Sequence, residues 1–347
     1  MISDYYRDKK VLVTGHTGFK GSWLCLMLES LGARVYGIGL EPIGPALNPE
    51  FNSSERSIIC DIRDSEKLNK WVNEVNPQYV FHFAAQSLVR ESYENPRNTF
   101  EVNVLGTVHL LESLKTCSNF DWVEIATTDK VYKNSEKGLR FTESDELGGS
   151  DPYSASKVGT EMVAQCYRNL ESFHSKKIGV VRAGNVIGGG DRSRDRLLPD
   201  LIRAKNTSTK IQLRNPTSIR PWQHVLEALD GYLRFGEYLG MRKGPIDTLN
   251  FGPSDEDELT VEQVSRLFLE AEFNAYVDLI QDSESADVIK KESRILKLGS
   301  ELAKTTLQWS PKFRCAESVD WVRTWENESR MNSAEKSREQ ISKYWSI

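Results

Sequence analysis

The sequence predicts an α/β fold in which helices cover both faces of a parallel β-sheet. Short apolar segments alternate with amphipathic helical segments from Val11 onward, which is the pattern of β–α–β units. Strands are expected at Val11–Val13, Arg34–Leu40, Tyr79–Ala85, Trp122–Thr127 and Ile178–Arg182. Helices are expected at Gly21–Leu31, Asp64–Val75, Asn98–Thr116 and Ser154–Phe173. The alternation therefore favours a sheet of at least five strands.

The domain organisation follows from the point at which this alternation ends. After Gly188, arginines and prolines become frequent, and a new helix is expected at Val225–Tyr238. We therefore expect one domain from residues 1–188, rejoined by about 222–252, and a smaller α/β domain from 189–221 and 253–347. Within the smaller domain, Thr260 and Gln263 form the capping box of another helix.

Charge and hydropathy exclude several classes of partner. The 45 basic and 50 acidic residues are intermingled and give a net charge of −5, so no basic field is available to bind nucleic acid. No apolar run approaches the roughly 18–20 residues that span a bilayer. We expect a cytoplasmic protein that binds neither nucleic acid nor membrane.

The cysteines and histidines indicate neither a disulfide framework nor a metal site. The cysteines are widely separated and are expected to be reduced, mostly buried thiols; they are Cys25, Cys60, Cys117, Cys166 and Cys315. No two of the five histidines have the spacing of metal ligands. No metal is expected.

A glycine-rich turn directly follows the first predicted strand. The segment Thr14–Gly21 places three glycines at the start of a helix, where they permit a tight turn, close approach to a pyrophosphate and packing of helix on strand. A turn without any ligand is the alternative, but the position in the first β–α–β unit favours dinucleotide binding. We expect a Rossmann-type domain with these cofactor contacts: Gly15, Thr17, Gly18, Phe19 and Lys20.

A tyrosine and a lysine four residues apart indicate acid–base chemistry. Tyr153 and Lys157 lie at the start of a predicted helix, on one face, where the ammonium can lower the phenol pKa and reach the nicotinamide ribose. Thr128, near the end of the preceding strand, offers a third group. A solvated surface pair is the alternative. Because the Tyr153–Lys157 pair follows the glycine-rich turn in the chain, we favour Tyr153 as a base on a sugar hydroxyl.

These motifs give the chain a family resemblance over nearly its whole length. It resembles the extended short-chain dehydrogenases/reductases and, among them, is similar to the CDP-glucose 4,6-dehydratases. Five segments in order carry the closer resemblance: His16–Trp23, Ala84–Arg90, Asp129–Lys130, Arg182–Asp191 and Arg220–Val225. The chain departs from the family pattern at Thr127–Thr128, where Thr-Ser is frequent, and at Val131, where Cys is frequent.

The resemblance implies further cofactor contacts, at Asp61, Ile62, Ala84, Ala85, Gln86 and Thr99, besides Tyr153 and Lys157. Core packing is the alternative for the alanine pair. The usual acidic residue at the tip of the second strand is absent unless Glu41 reaches the ribose hydroxyls. NAD is favoured over NADP.

The resemblance also implies a nucleotide-sugar substrate, CDP-glucose. Its implied contacts are Ser87, Arg90, Asn185, Arg196, Arg214, Arg220 and His224. Ser87 fits a helix N-cap equally well, Arg196 and Arg214 could be solvated surface, and a histidine such as His224 is more often packed than bound to a base.

Asp129 and Lys130 are implied to distinguish a dehydratase from an epimerase, because loss of water across C5 and C6 needs a second acid and base. Lys130 would take the C5 proton and Asp129 would protonate the C6 hydroxyl, giving a 4-keto-6-deoxy sugar for deoxysugar and lipopolysaccharide O-antigen biosynthesis. A solvated ion pair is the alternative. An epimerase or reductase would not need the pair, and a dinucleotide-sensing regulator would not need Tyr153. The resemblance further implies a homodimer or homotetramer built on the two long helices.

Overall fold

The computed structural model describes residues 4–213, 215–254, 256–279 and 293–347. The expected alternation of strands and helices is present in the first half of the chain. The strands in chain order are β1 (Lys10–Thr14), β2 (Arg34–Gly39), β3 (Ser57–Ile59), β4 (Tyr79–His82), β5 (Trp122–Ala126), β6 (Arg140–Phe141), β7 (Lys177–Ala183), β8 (Asn185–Ile187), β9 (Ile211–Leu213), β10 (Ile219–His224), β11 (Thr248–Phe251), β12 (Glu258–Thr260), β13 (Val277–Leu279) and β14 (Lys297–Leu298).

The helices lie between these strands and in the C-terminal region. They are α1 (Phe19–Ser30), α2 (Pro49–Asn52), α3 (Ser65–Val75), α4 (Val89–Glu94), α5 (Pro96–Phe100), α6 (Gly106–Leu114), α7 (Pro152–Arg168), α8 (Leu197–Thr207), α9 (Val225–Gly240), α10 (Val261–Leu269), α11 (Phe273–Tyr276), α12 (Glu301–Leu307), α13 (Cys315–Asn327) and α14 (Ser333–Ser346).

The central feature is a seven-stranded parallel sheet with the order β11-β7-β5-β4-β1-β2-β3. This sheet confirms the predicted α/β class. Strand order reverses between β1 and β4, and ligands of such sheets bind outside the carboxyl ends of the strands at this point. The predicted strand Tyr79–Ala85 ends earlier, at His82, so Phe83–Gln86 is a loop at that edge.

Helices cover both faces of the sheet. On one face α1 and α9 bury Trp23, Leu229 and Phe235; on the other α3, α6 and α7 pack over Val123 and Ile125. The predicted helix Asn98–Thr116 is divided into α5, a π-helical turn at Glu101–Leu105, and α6.

The C-terminal region adds a smaller layer beside the sheet. Strand β10 pairs with β8 in parallel and with β12 in antiparallel orientation, and α8, α10 and α13 pack around Leu201, Val264 and Val322. The predicted capping box of Thr260 and Gln263 is confirmed at the start of α10. β11 adjoins β7 in the main sheet. The division into domains stays a prediction. No helix in the described ranges could span a bilayer.

Candidate active site

A cavity of about 770 Å³ opens at the carboxyl ends of the central strands. Its walls are formed by the loops after β1, β2, β3, β4, β5 and β7 and by segments of the C-terminal layer. Most residues predicted from the sequence line it. They are Gly15, Thr17, Gly18, Phe19, Lys20, Asp61, Ile62, Ala84, Ala85, Gln86, Ser87, Arg90, Thr128, Lys130, Tyr153, Lys157, Asn185, Arg196 and Arg220.

The glycine-rich turn forms an open cradle at the start of α1. Gly15 has a φ of +74°, and a Cβ on Gly21 would lie 2.1 Å from the Gly15 carbonyl oxygen, so side chains do not fit at these positions. Gly18, the N-cap residue of α1, supplies no side-chain hydrogen bond, and the first turn carries no acidic residue. The amide groups at this helix end are therefore suited to an anion such as a dinucleotide pyrophosphate.

The loop after β3 forms one end of the cavity. Arg63 donates to Asp61 over 2.6 Å and to the Asn98 side chain over 2.9 Å. Its guanidinium lowers the pKa of Asp61. Glu41 also lines this end, beyond the tip of β2, so an acidic side chain is available to ribose hydroxyls.

The loop Phe83–Gln86 is held by residues behind the cavity wall. Asn103, in the π-helical turn, accepts from the Gln86 amide over 2.8 Å and donates to Ser156 on α7 over 2.8 Å. Thr99 accepts a hydrogen bond of 2.9 Å from Gln86 but does not line the cavity. Thr99 is buried and orients Gln86, and its direct contact with the cofactor stays a prediction.

Tyr153 and Lys157 project from α7 into the cavity, next to Thr128. Burial raises the pKa of Tyr153 to about 12, although the neighbouring Thr128 hydroxyl and the charge of Arg196 act in the opposite direction. Burial, together with the charge of Lys20, lowers the pKa of Lys157 to about 7. The Lys157 ammonium donates to the Ala126 carbonyl over 3.0 Å, which leaves two of its three donors for other groups.

Asp129 and Lys130 form an ion pair beside Thr128. The Lys130 ammonium lies 3.4 Å from Asp129 Oδ1, and the Thr128 hydroxyl donates to the same oxygen over 3.0 Å. Lys130 reaches the cavity, whereas Asp129 is fully buried and lies behind its lining. Asp129 Oδ2 has no hydrogen-bond partner among the described residues. An acidic group and a basic group thus lie beside Thr128, which neighbours the Tyr153 phenol.

Cationic side chains surround the middle of the cavity. Burial lowers the pKa of Lys20 to about 8, and the charges of Arg196 and Lys130 add to this effect, whereas Asp129 and Asp191 oppose it. Arg196 donates to Ser87 over 3.3 Å, at the entrance to α4. Such an arrangement suits the oxygens of a diphosphate.

Two predicted substrate contacts, Arg220 and His224, have hydrogen-bond partners within the protein. Arg220 lines the cavity but is 4% exposed and donates to the carbonyls of Ile219 and Arg294. Arg214 lies outside the described residues. His224 does not line the cavity: its ring caps α9 by accepting from the Leu226 amide over 3.3 Å, and burial lowers its pKa to about 3. The contact of His224 with substrate stays a prediction.

Some residues that organise the site were not predicted from the sequence. Asn103 and Arg63 hold two of its loops, and the Ser92 hydroxyl accepts from the backbone amide of Tyr153 over 3.1 Å. The approach of a polar side chain to a distant loop leaves no periodic signal. Among the described residues no cluster of three or more possible metal ligands is found.

Comparison with known proteins places this chain in a family. The glycine cradle and the Tyr153–Lys157 pair define an extended short-chain dehydrogenase/reductase, which confirms the resemblance seen in the sequence. More particularly, the chain belongs to the GDP-mannose 4,6-dehydratase family, whose sequence model matches residues 12–321. The chain is 42% identical over 342 residues to the CDP-glucose 4,6-dehydratase of Salmonella typhimurium, covering 93% of this chain and 92% of that protein.

Solved structures have the same fold. A double mutant of DesIV, the dTDP-glucose 4,6-dehydratase of Streptomyces venezuelae with NAD and DAU bound, is similar with a TM-score of 0.76, 23% identity and coverage of 92% and 97% of the two chains. The dTDP-glucose 4,6-dehydratase of Bacillus anthracis in complex with NAD gives a TM-score of 0.72 at 24% identity, with the same coverage.

Proposed function

We propose that this protein is an NAD-dependent CDP-glucose 4,6-dehydratase, which converts CDP-glucose to CDP-4-keto-6-deoxyglucose. The observation that carries the proposal is the Asp129–Lys130 pair, because it places a second acid and base beside the Tyr153 and Thr128 that suffice for oxidation at C4. The relative from Salmonella typhimurium supports cytosine as the base of the nucleotide.

The glycine cradle fits the pyrophosphate of NAD, and the donors of Lys157 that remain fit its nicotinamide ribose. Asp61 and Glu41 lie at the end suited to the adenosine. The chemistry that bound NAD would supply is acceptance of hydride from C4 and its return to C6. Since the net redox change is zero, we propose that the cofactor stays tightly bound through turnover.

Oxidation at C4 needs a base for the sugar hydroxyl. Tyr153 fills this role as a phenolate, which its raised pKa disfavours in the chain alone. Positive charge stabilises a phenolate, and the guanidinium of Arg196 acts on Tyr153 in this direction. Lys157, one helical turn along α7, would add to it in its ammonium form. The product of this step is a 4-keto sugar, whose carbonyl acidifies the hydrogen on C5.

Elimination of water needs Asp129 as a protonated acid and Lys130 as a neutral amine. The ion pair of the structure has the same proton count, with the proton on Lys130 instead, and the two forms interconvert by transfer over 3.4 Å. Neutral Lys130 takes the C5 proton while Asp129 protonates the departing C6 hydroxyl. Lys130 then returns its proton to C5 as hydride arrives at C6.

Proton balance requires a path from Tyr153 to Asp129. Lys130 gives C5 one of its three ammonium protons, which exchange with solvent, and the C4 hydride moves to C6. The water that leaves must therefore finally contain the proton of the C4 hydroxyl. Tyr153 receives that proton, Thr128 adjoins Tyr153, and the Thr128 hydroxyl donates to Asp129 Oδ1. Transfer along these three groups restores the protonated acid for the next turnover.

The substrate would cross the middle of the cavity. We assign the diphosphate to Arg196 and Arg220, the sugar to Ser87 and Arg90, and the nucleoside side to Asn185, all of which line the cavity. Arg214 remains a predicted contact.

We further propose a homodimer or homotetramer in the cytoplasm, acting in deoxysugar biosynthesis for O-antigen lipopolysaccharide. The support for the dimer is an exposed apolar face on neighbouring helices: Phe100 is 41%, Leu105 49% and Met162 47% exposed. The pathway rests on the family resemblance of the sequence alone.

The proposed function is tested with purified protein, added NAD and four substrates in parallel: CDP-glucose, dTDP-glucose, UDP-glucose and GDP-mannose. Mass spectrometry follows the loss of one water. We expect loss from CDP-glucose at a rate far above the other three. Inversion at C4 without loss of water would instead identify an epimerase, and a preference for another nucleotide would contradict the assignment of the base.

A further inference from the structure

The turn that carries the acid and base is anchored at both ends to one buried ion pair. This acid–base turn, residues 128–131, follows β5 and contains a single turn of 3₁₀ helix. Thr127 precedes it and Tyr132 follows it. Both are buried, and both hydrogen-bond to members of the pair Glu161–Arg182.

On each side of the turn, one short hydrogen bond connects a flanking hydroxyl to the ion pair. On one side, the Thr127 hydroxyl donates to Glu161 Oε1 over 2.6 Å. On the other, Arg182 donates to the Tyr132 hydroxyl over 2.7 Å, and that hydroxyl donates to Asn250 Oδ1, also over 2.7 Å. Arg182 Nε and Glu161 Oε1 lie 2.8 Å apart, which closes the arrangement.

We propose that Glu161 and Arg182, acting through Thr127 and Tyr132, are positioning residues for the elimination of water; this inference rests on the proposed function. Glu161 lies one helical turn beyond Lys157 on α7, and Arg182 lies on β7. The pair therefore fixes the acid–base turn relative to the helix that carries Tyr153 and Lys157.

Elimination is the step most sensitive to this arrangement. Its acid and base both lie on the turn and must each reach a different atom of the sugar. Oxidation depends on the turn only through Thr128, since Tyr153 and Lys157 lie on α7. A displacement of about 1 Å can reduce the rate of a positioned step about 100-fold. Loss of an anchor should therefore slow elimination more than oxidation.

Tyr132→Phe tests the proposal, because it removes one anchoring hydroxyl and leaves the buried ion pair in place. Tyr6→Phe is the matched control, since the buried Tyr6 hydroxyl donates to the Leu233 carbonyl over 2.7 Å, away from the turn. In single turnovers with CDP-glucose and NAD, absorbance of reduced nicotinamide reports oxidation, and mass spectrometry reports loss of water. For Tyr132→Phe we expect elimination to fall at least about tenfold, oxidation to change less than about twofold, and reduced nicotinamide to accumulate.

Thr127→Val should produce the same accumulation from the other end of the turn, and Thr127→Ser, which keeps the hydroxyl, should restore elimination. Equal slowing of both steps in Tyr132→Phe, with no accumulation, would overturn the positioning role.

Hydrogen exchange followed by mass spectrometry tests the anchoring without any substrate. Amides of the acid–base turn should exchange faster in Tyr132→Phe, and not in Tyr6→Phe, while α7 keeps its protection. Unchanged exchange in the turn would refute the anchoring even if the wild-type protein turned over. Conversely, faster exchange in a protein inactive on CDP-glucose would refute the proposed function alone.

Discussion

Lys130 offers the sharpest separation of the two halves of the proposed reaction. Lys130→Met removes the base for C5 but leaves Tyr153, Lys157 and Thr128 in place. A positioned general base contributes about 10²–10⁴-fold, so the barrier to elimination should rise by about 2.7–5.4 kcal/mol. Oxidation at C4 should continue, and the 4-keto sugar with reduced nicotinamide should accumulate.

The structure also sets the size of the electrostatic effect. Charges 3.4 Å apart attract by about 5 kcal/mol at an effective dielectric constant of 20. Lys130 is 24% exposed and the desolvation of Asp129 opposes this gain, so we expect Lys130→Met to lose about 1–3 kcal/mol of folding stability. Lys130→Arg keeps the cation but cannot lose its proton, so it should retain stability and still fail in elimination.

The assay is exchange of the C5 hydrogen in D₂O during single turnovers. Wild-type protein should introduce deuterium at C5, whereas both Lys130 variants should oxidise C4 without any deuterium at C5. Dehydrated product formed at the wild-type rate by Lys130→Met would refute Lys130 as the base. If Lys130→Arg turned over at the wild-type rate and Lys130→Met did not, Lys130 would contribute only its positive charge and not act as the base.

Three further predictions concern the cofactor, folding stability and assembly. Gly21→Ala should abolish NAD binding in calorimetry, because its Cβ would lie 2.1 Å from the Gly15 carbonyl oxygen; unchanged affinity would contradict the cradle. Burial lowers the pKa of Lys157 from 10.5 to about 7, so between these pH values the unfolded chain binds more protons than the folded protein. The free energy of unfolding of the wild type should therefore rise with pH, relative to Lys157→Met, by up to about 1.4 kcal/mol per pH unit. A difference between the two proteins that does not change with pH in denaturant unfolding would refute this prediction. Phe100→Glu combined with Met162→Glu should yield a folded monomer in sedimentation, and an unchanged assembly would move the interface elsewhere.

The features that could be predicted from the sequence are those fixed by local pattern. The glycine spacing after β1 specifies a turn that only glycines permit, and the four-residue interval from Tyr153 to Lys157 specifies one helix face. Both depend on residues close in sequence. For this reason the fold class was predicted correctly, and most of the residues predicted to bind the cofactor line one cavity.

The features that could not be predicted depend on long-range packing. His224 follows a strand at a position suited to substrate, but Trp23, Phe313 and Trp321 enclose its ring and it caps α9. Asn103 acquires its role only because a π-helical turn aims it at Gln86. Neither the enclosure of a ring nor a π-helical turn has a periodic signature in sequence.

Transfer of a label within one sugar tests the central claim most directly. CDP-glucose carrying deuterium at C4 is incubated with the protein and NAD, and the position of the label is found by mass spectrometry and NMR. The proposed reaction predicts loss of one water with the deuterium at C6 of the 4-keto-6-deoxy product. A product that has lost no water, or loss of the deuterium to solvent, would contradict an internal hydride transfer from C4 to C6.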